Sequence, residues 1–276
     1  MKFTKMHNAG NDYVYVNGFE EKIEDFAGTA RAISHRHYGV GSDGLVVVMP
    51  SKTCDIRMRM FNSDGSEAEM CGNASASIGI FATKSGIVKK NKFTMETLAG
   101  TKIIEVFDDG RVRVCMGEPV LEAEQIPVIA PAGTPVIDLP LDVAGTIWKA
   151  TCVSMGNPHA VIFTQGIDDF NLPKMGPLFE HYKAFPRRVN TEFVEVLSPN
   201  HLRLRVWERG AGETMACGTG ACATTVAAVL KGLCERQVAI DLLGGKLEIE
   251  WRETDNKLYL TGHPEIAFTG EWKKKI

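Results

Sequence analysis

The sequence predicts an α+β fold of two pseudo-symmetric domains, each a mixed β-sheet wrapped around a central helix. The first observation is a repeat: a cysteine, a glycine and a run of small residues occur together at Glu67–Ala82 and again at Glu213–Ala228. The second is that strand-like stretches, a helix and further strands accompany both copies in the same order. The third is the run of small residues itself, which fits a helix enclosed by sheet.

In the first half, the alternating stretch YVYV after a polar turn predicts a strand, and residues 24–37 predict a helix. Residues 54–62 alternate as a strand does, with their apolar side chains on one face. Strands separated by glycine-containing turns follow the first cysteine segment. The turn at 117–119 is predicted to end this half.

The second half begins with a proline-rich stretch, 126–140, which is either a linker or the edge of a sheet. Strands, a helix near 168–182 and a strand pair then lead to the second cysteine segment. Hairpins follow that segment, as they follow the first one. The order of elements therefore predicts a duplicated fold.

Two short motifs in the first half point to ligands that the context does not support. Gly39, Gly41 and Gly44 formally match G-x-G-x-x-G, but a dinucleotide site needs a strand before the motif and a helix after it. Here a helix precedes and a strand follows, so we exclude that site. His35 and His37 form an H-x-H pair without further ligands nearby, and we expect no metal there.

Length and composition limit the possible functions. The 276 residues are 44% hydrophobic with a net charge of −3, which allows two proper cores and gives no electrostatic case for nucleic acid. No apolar run approaches the ~20 residues of a membrane span, and the N-terminus has no apolar signal core. The seven cysteines are odd in number and have no C-x-x-C spacing, which fits a reducing compartment. We therefore expect a cytoplasmic protein that does not bind membranes.

Cys71 and Cys217 each stand where a turn leads into a predicted helix. The positive end of a helix dipole is expected to lower a thiol pKa from about 8.5 toward neutrality. Glycine after each cysteine allows a ligand to approach the backbone, and N–H groups of the first turn can hold a carboxylate. Two buried structural cysteines are the alternative, since free cysteine is often buried. The repetition favours a functional pair whose two halves face one cleft.

Three turns add polar side chains to the two thiols. They lie at 155–159, 190–192 and 207–210. Each alone is more often a turn or surface feature. Together they supply an imidazole, a carboxylate, a guanidinium and several amides.

Seven longer motifs are spread over nearly the whole chain. They are MHNAGNDYV, YGVGSDG, MRMFNSDGSEAEMCGNAS, MGNPHAVIF, NTEFVEV, WERGAGETMACGTGACA and LTGHPEIAF. On these motifs, the chain resembles the diaminopimelate epimerase family. The resemblance implies an isomerase without pyridoxal phosphate or metal that converts LL-2,6-diaminopimelate to the meso form. The implied product is a precursor of lysine and of peptidoglycan. The resemblance also implies a homodimer and a last segment that returns to the first half. The implied domains are 1–118 with 263–276, carrying Cys71, and 119–262, carrying Cys217.

Inverting an α-carbon needs a base on one face and an acid on the other, and the resemblance assigns these roles to Cys71 and Cys217. His159 and Glu208 match family residues that set the protonation states of the thiols. The first-turn N–H groups are implied to hold the α-carboxylate. Most of the other ligands are implied to hold the distal amino acid centre, which does not react. The implied substrate ligands are Asn11, Asn62, Gly72, Asn73, Asn157, Asn190, Glu208, Arg209, Gly218 and Thr219.

The chain departs from the family pattern at two places. Family members often read CGN-x-x-R-C where this chain has Ala76 and Ser77, and we expect effects on packing or an interface. Some members place glutamine where Gly44 stands, so one direct side-chain contact is expected to be missing.

Two other functions remain open at this level. A cofactor-independent racemase of another amino acid, such as histidine, would keep both Cys-Gly turns but need not keep the distal ligands. A thiol redox sensor would use Cys71 and Cys217 as a regulatory disulfide. The presence of Asn62, Asn157, Asn190 and Arg209 favours diaminopimelate over the racemase. A sensor disulfide would leave Glu208, Arg209 and the surrounding asparagines without a role.

Overall fold

The structure is a computed structural model that describes residues 1–131 and 135–273. The chain forms two compact units, Met1–Cys115 with the chain from Thr261 onward, and Met116–Leu260. That the predicted halves act as two epimerase domains stays a prediction. Residues 132–134 of the predicted linker and 274–276 of the predicted returning segment lie outside the described residues.

The first unit combines a sheet with two helices. Its elements are β1 (Lys2–Asn8), β2 (Asn11–Asn17), α1 (Phe26–Ser34), β3 (Gly44–Met49), β4 (Ile56–Asn62), β5 (Glu67–Ala68), α2 (Gly72–Lys84), β6 (Lys92–Thr97), β7 (Gly100–Val106), β8 (Val112–Gly117) and, from the end of the chain, β18 (Glu265–Glu271). The strand order is β18–β1–β2–β3–β4–β6–β7–β8, with β5 as a short partner of β4. Only the β2/β3 and β4/β6 pairs in this order are parallel.

The second unit repeats this plan. Its elements are β9 (Leu139–Val143), β10 (Thr146–Ser154), β11 (Pro158–Phe163), a 3₁₀ turn (Ile167–Asp169), α3 (Leu172–Glu180), β12 (Asn190–Ser198), β13 (His201–Glu208), β14 (Gly212–Glu213), α4 (Gly218–Leu230), β15 (Gln237–Leu242), β16 (Gly245–Trp251) and β17 (Leu258–Gly262). The β11/β12 and β13/β15 pairs are parallel, at the places that β2/β3 and β4/β6 take in the first unit. The predicted α+β class with mixed sheets is therefore confirmed.

The cysteine-led helices α2 and α4 form the centres of the two units. Every residue of α2 from Gly72 to Ala82 is buried, and α4 is buried over most of its length. Strands approach these helices closely because the helices carry small side chains: a Cβ at Gly79 would lie 2.6 Å from Val112 Cγ1. Burial on all sides agrees with the predicted run of small residues.

The first predicted helix is shorter than expected. Asp25 caps its start by accepting from the Gly28 amide at 2.8 Å, and the helix ends at Ser34 rather than at residue 37. His35 Nδ1 accepts from the backbone amides of His37 and Tyr38, each at 3.2 Å, which turns the chain away from the helix. The helix-before, strand-after order around Gly39–Gly44 is as predicted, which supports the exclusion of a dinucleotide site.

The proline-rich stretch is a packed part of the second unit rather than a linker. Ile126 and Val128 are buried in the core of that unit, and the Ile129 amide donates to Ala184 O at 2.8 Å. The alternative of a sheet edge is confirmed at 139–140, where β9 pairs with β10. Among the helices of the described ranges, none is long and apolar enough to span a membrane.

Candidate active site

In the first unit, Cys71 occupies the N-cap of α2. Its backbone is extended, with φ −136° and ψ 128°, and the helix begins at Gly72. Asn73 in the first turn is buried, and its Oδ1 accepts from Asn8 Nδ2 at 3.0 Å. Gly72 and Asn73 lie in the first turn of α2, the part of a helix where backbone N–H groups can bind an anion.

Asn11 links the Cys71 thiol to a cluster of charges. Cys71 Sγ donates to Asn11 Oδ1 at 3.3 Å, and Asn11 Nδ2 donates to Asp43 Oδ2 at 2.9 Å. An ionised carboxylate can only accept, so Asp43 fixes the amide orientation that turns Asn11 Oδ1 toward the thiol. The two-residue turn between β1 and β2, with positive φ at Ala9 and Gly10, places Asn11 at the start of β2.

The charges behind Asn11 balance one another. Arg36 Nη2 bridges Asp12 at 3.1 Å and Asp43 at 3.0 Å, and Lys5 Nζ also bonds to Asp12. Burial alone would raise the pKa of Asp12, but Lys5 and Arg36 bring it below its usual value. Burial, with the neighbouring charge of Asp12, raises the pKa of Asp43. Two cations therefore hold two carboxylates in place next to Asn11.

Asn62 makes a local contact instead of joining Cys71 and Asn11. Its Nδ2 donates to Ser66 Oγ at 3.0 Å, and its backbone amide donates to Ser66 O at 2.9 Å, closing the turn after β4. Its role as a substrate ligand stays a prediction.

Both departures from the family pattern lie at crowded positions. A Cβ at Gly44 would stand 2.1 Å from Phe61 O, so a glutamine there would force β3 and β4 apart. Ala76 and Ser77 are completely buried in α2, where an arginine would have to place its charge in the core. Tight packing thus explains why small residues suit these positions in this chain.

In the second unit, Cys217 occupies the N-cap of α4 and is only 5% exposed. The Gly220 amide donates to its Sγ at 3.3 Å, and Thr219 Oγ1 lies 3.4 Å from the same sulfur. Gly218 and Thr219 open the helix, so their amides are the ones available to an anion. The two cysteines therefore share a position at the helix start but differ in how their sulfur atoms are bound.

A chain of side-chain contacts runs from Cys217 to His159. Asn157 Nδ2 donates to Thr219 Oγ1 at 3.3 Å, and Asn157 Oδ1 lies 3.0 Å from His159 Nε2. The other ring nitrogen, His159 Nδ1, lies 2.6 Å from Glu192 Oε1. The structure thus brings Cys217, Thr219, Asn157 and His159 together, and their roles in a site stay a prediction.

Glu180 binds the turn that carries Glu208 and Arg209. This buried carboxylate accepts from Trp207 Nε1 at 2.7 Å and from the Gly210 amide at 3.0 Å. Within the turn, Glu208 Oε1 accepts from Thr214 Oγ1 at 2.5 Å. These contacts hold the Glu208 backbone and carboxylate in fixed positions.

Asn190 connects the start of β12 to Arg209. Its Oδ1 accepts from the Arg209 amide at 2.8 Å, and its Nδ2 donates to Pro158 O at 3.0 Å. The Arg209 side chain is exposed and donates through Nη1 to Arg187 O at 3.1 Å. Asn190 and Arg209 therefore form a second group of implied ligands, held together by backbone contacts.

The predicted lowering of the thiol pKa is wrong for Cys217. Burial, followed by the negative charges of Glu208 and Glu192, raises the pKa of Cys217 well above its usual value. Hydrogen bonds from Thr219 and the Gly220 amide oppose this change without reversing it. Burial also raises the pKa of Glu208, against hydrogen bonds from Thr214 and Cys217. In this structure Cys217 is therefore a thiol with a carboxylate beside it.

Sequence reasoning missed Glu192 as a site residue. Its side chain is fully buried against His159, and it acts electrostatically on Cys217. The signal was present, because Glu192 follows Asn190 by two residues on a strand and so projects from the same face. A charged residue on the inward face of a buried strand is unusual enough to mark a site.

We expect Glu208→Gln to make Cys217 more reactive toward alkylation. An anionic Glu208 disfavours the Cys217 thiolate, so its removal lowers the Cys217 pKa and increases the thiolate fraction. At about pH 8, iodoacetamide labelling of Cys217, followed by peptide mapping, should become about 3- to 10-fold faster. The matched control is Glu213→Gln, whose carboxylate pairs with Arg205 at 2.8 Å. Equal labelling rates in both variants would show that Glu208 does not control this thiol.

The fold of the chain is also found among solved structures. A phenazine biosynthesis protein of the PhzF family from Bacillus anthracis matches with a TM-score of 0.72 at 15% identity, over 99% of this chain and 99% of that chain. At this identity the likeness shows the shared fold.

Two curated relatives match over almost the full length and are named diaminopimelate epimerase. The protein from Desulfovibrio desulfuricans is 53% identical over 99% of this chain and 98% of its own length. The protein from Acetivibrio thermocellus is 53% identical over 98% of each chain. The relatives and the two cysteine-led helices define the class as an isomerase. The family model described as "Diaminopimelate epimerase" matches residues 3–122 and 151–267, and the chain belongs to this family.

Proposed function

We propose that the protein interconverts LL- and meso-2,6-diaminopimelate by two-base proton transfer at one α-carbon. The observation that carries this proposal is the occurrence of a cysteine at the N-cap of the central helix in both units. Membership of the family supplies the substrate. The product serves lysine and peptidoglycan precursor synthesis.

The chemistry requires one thiolate and one thiol, which reach opposite faces of the same α-carbon. The raised pKa of Cys217 supports its entering the reaction as the proton donor. Cys71 is then the base that removes the α-proton in that direction. In the reverse direction the two roles are exchanged.

Glu208 and His159 are the groups that control the protonation state of Cys217 in this proposal. For Cys217 to act as a base, its thiol proton must move to an acceptor, and the Glu208 carboxylate is the neighbouring one. Burial raises the pKa of Glu208 and so makes this transfer easier. His159 reaches the same thiol through Asn157 and Thr219.

The α-carbanion is stabilised without a cofactor in this proposal. The proposed donors to the developing charge on the α-carboxylate are the amides at the starts of α2 and α4, since preorganised donors are most effective there. The residues proposed for this group are Gly72, Asn73, Gly218 and Thr219. The remaining proposed ligands, most of them for the distal centre, are Asn11, Asn62, Asn157, Asn190, Glu208 and Arg209.

We also propose a cytoplasmic homodimer. The described cysteines are all free thiols, which suits a reducing compartment. In the first unit, β18 pairs with β1 and exposes Ile266 and Phe268, 37% and 48% accessible. An edge strand with exposed apolar side chains is a surface that a second copy could cover.

The experiment that tests the proposal follows deuterium into product. In heavy water, the pure protein without pyridoxal phosphate should label the α-carbon of the product much sooner than that of recovered LL-diaminopimelate. The reason is that the thiol delivering the new proton has exchanged with solvent, whereas the base returns the original proton to substrate. Mass spectrometry of the separated isomers at low conversion measures both labels. Early and equal labelling would indicate one shared base, and absence of meso product would reject the function.

A further inference from the structure

The pair formed by His159 and Glu192 is the least expected feature of the second unit. Both side chains are fully inaccessible to solvent, and Nδ1 and Oε1 lie 2.6 Å apart. Parallel β11 and β12 place His159 opposite Asn190 and Val161 opposite Glu192. The carboxylate thus reaches the imidazole from two residue pairs further along the sheet, on the face that His159 and Asn190 share.

Glu192 also touches the first turn of α4. A Cβ at Gly220 would stand 2.7 Å from Glu192 Oε1, so the carboxylate packs against this glycine. The same residue donates its amide to Cys217 Sγ. A carboxylate near a helix N-terminus is stabilised as an anion. Glu192 therefore lies between the imidazole and the turn that carries the thiol.

The second carboxylate oxygen lacks a hydrogen-bond donor in the part of the chain that the structure describes. Within residues 1–131 and 135–273, Glu192 Oε2 is buried without a hydrogen-bond donor. A buried carboxylate with one unpaired oxygen does not favour folding, since burying the charge and leaving an acceptor unpaired both cost free energy. Its presence indicates a role other than holding the fold.

The contacts at the two ring nitrogens determine where the imidazole carries its proton. A carboxylate accepts only, so Nδ1 must be protonated. The Asn157 amide can present either of two atoms to Nε2. If its oxygen faces the ring, Nε2 must carry a second ring proton. If the amide is rotated and its nitrogen faces the ring, Nε2 must offer a lone pair. Both orientations of Asn157 keep the proton on Nδ1. Glu192 therefore sets the proton position at Nδ1, and Nε2 is the ring nitrogen that lies next to Asn157.

We propose that Glu192 is a positioning residue for the epimerase reaction, which fixes the proton on His159 Nδ1 and directs Nε2 toward Asn157, Thr219 and Cys217. This rests on the proposed function for its catalytic consequence, but the proton position is a property of the protein itself. Without the carboxylate, the ring could protonate at either nitrogen, and the path to Cys217 would be broken in part of the molecules.

The test compares Glu192→Gln with Glu195→Gln. Glu195 stands on the same strand and bonds to Arg203 and to the amides of Gly166 and Ile167, so its variant reports the loss of a structural carboxylate. Histidine labelled with ¹⁵N gives the tautomer from long-range ¹H–¹⁵N spectra, with the His159 signals identified by their loss in His159→Gln. We expect Nδ1 to be protonated in the parent protein and in Glu195→Gln.

In Glu192→Gln we expect a mixture of tautomers and a fall in kcat of roughly 10- to 100-fold, as for other residues that orient a histidine. The KM for diaminopimelate should stay within about threefold, because Glu192 is not among the proposed substrate ligands. A parent protein with a bare Nδ1 would overturn the proposal. So would Glu192→Gln with an unchanged tautomer and rate. Failure of the parent to epimerise diaminopimelate would reject the proposed function while leaving the tautomer result to decide the proton position.

Discussion

Cys71→Ala and Cys217→Ala should each lower kcat/KM for epimerisation by roughly 10²- to 10⁴-fold, the contribution of a positioned acid or base. Each thiol is proposed to serve one face of the α-carbon, so the loss of either stops inversion even when the other remains. Both cysteines cap buried helices without a large side chain of their own, and alanine should leave the fold intact. Coupled assay of meso product from LL-diaminopimelate measures the loss.

The same two variants should differ in the exchange that remains. With no acid on the other face, the remaining thiol removes and returns the proton repeatedly, and over these cycles the thiol proton exchanges with solvent without inversion. Cys71→Ala and Cys217→Ala should therefore catalyse exchange at opposite configurations of the α-carbon, one with LL-diaminopimelate and the other at the D centre of the meso form. Deuterium incorporation into each unreacted isomer would then show which cysteine serves which face.

The controls are Cys54→Ala in the first unit and Cys234→Ala in the second. Both cysteines are partly buried and stand away from the helix N-termini, at a turn before β4 and in the segment after α4. Their removal should change kcat/KM less than about threefold. If Cys71→Ala or Cys217→Ala behaved like these controls, that cysteine would be structural and the two-thiol mechanism would be wrong.

The parts of the site that were predictable from sequence are those formed by neighbouring residues. A cysteine, a glycine and small residues in succession determine a helix start and its burial without reference to the rest of the chain. The α2 and α4 starts at Gly72 and Gly218 follow from this local pattern. The family motifs then supplied Asn157, His159 and Glu208 as residue types, but not their contacts.

The parts that sequence could not supply depend on strand register and desolvation. Whether Glu192 meets His159 is decided by the alignment of β11 with β12, and a shift of one residue would turn Glu192 to the opposite face. The direction of the Cys217 pKa likewise depends on groups distant in sequence. A helix dipole acts locally and lowers a thiol pKa, whereas burial and the charges of Glu208 and Glu192 outweigh it here.

The early end of α1 has a similar origin. The predicted helix ran to residue 37, but His35 Nδ1 accepts from the amides of His37 and Tyr38, and the helix ends at Ser34. Side chains that bond to nearby backbone groups offer an alternative to the helix. A helix predicted from residue types alone does not include this competition.

Arg209→Ala should lower kcat/KM for diaminopimelate by roughly thirty-fold to several-thousand-fold, which is about 2–5 kcal/mol for removing one partner of a charge pair that bound substrate would desolvate. Arg209 supplies a planar guanidinium that can bind a carboxylate through two parallel hydrogen bonds. The α-carboxylate is assigned to the helix N-termini, so Arg209 is assigned the distal one. In the structure its Nη1 donates to Arg187 O, a contact that a carboxylate could replace. The rate at saturating substrate gives kcat and the rate at limiting substrate gives kcat/KM, so the two measurements separate the effects on kcat and KM.

Arg187→Ala is the matched control, because it removes an exposed arginine side chain and keeps the carbonyl that Arg209 contacts. It should change kcat/KM less than about threefold, and both variants should keep Cys71 and Cys217 titratable. The parent protein should not racemise alanine, lysine or histidine, since these lack a second carboxylate. Racemisation of histidine at a rate like that of diaminopimelate, or an Arg209→Ala loss as small as that of Arg187→Ala, would favour a racemase of another amino acid. The reason is that turnover would then not depend on a guanidinium that binds a distal carboxylate.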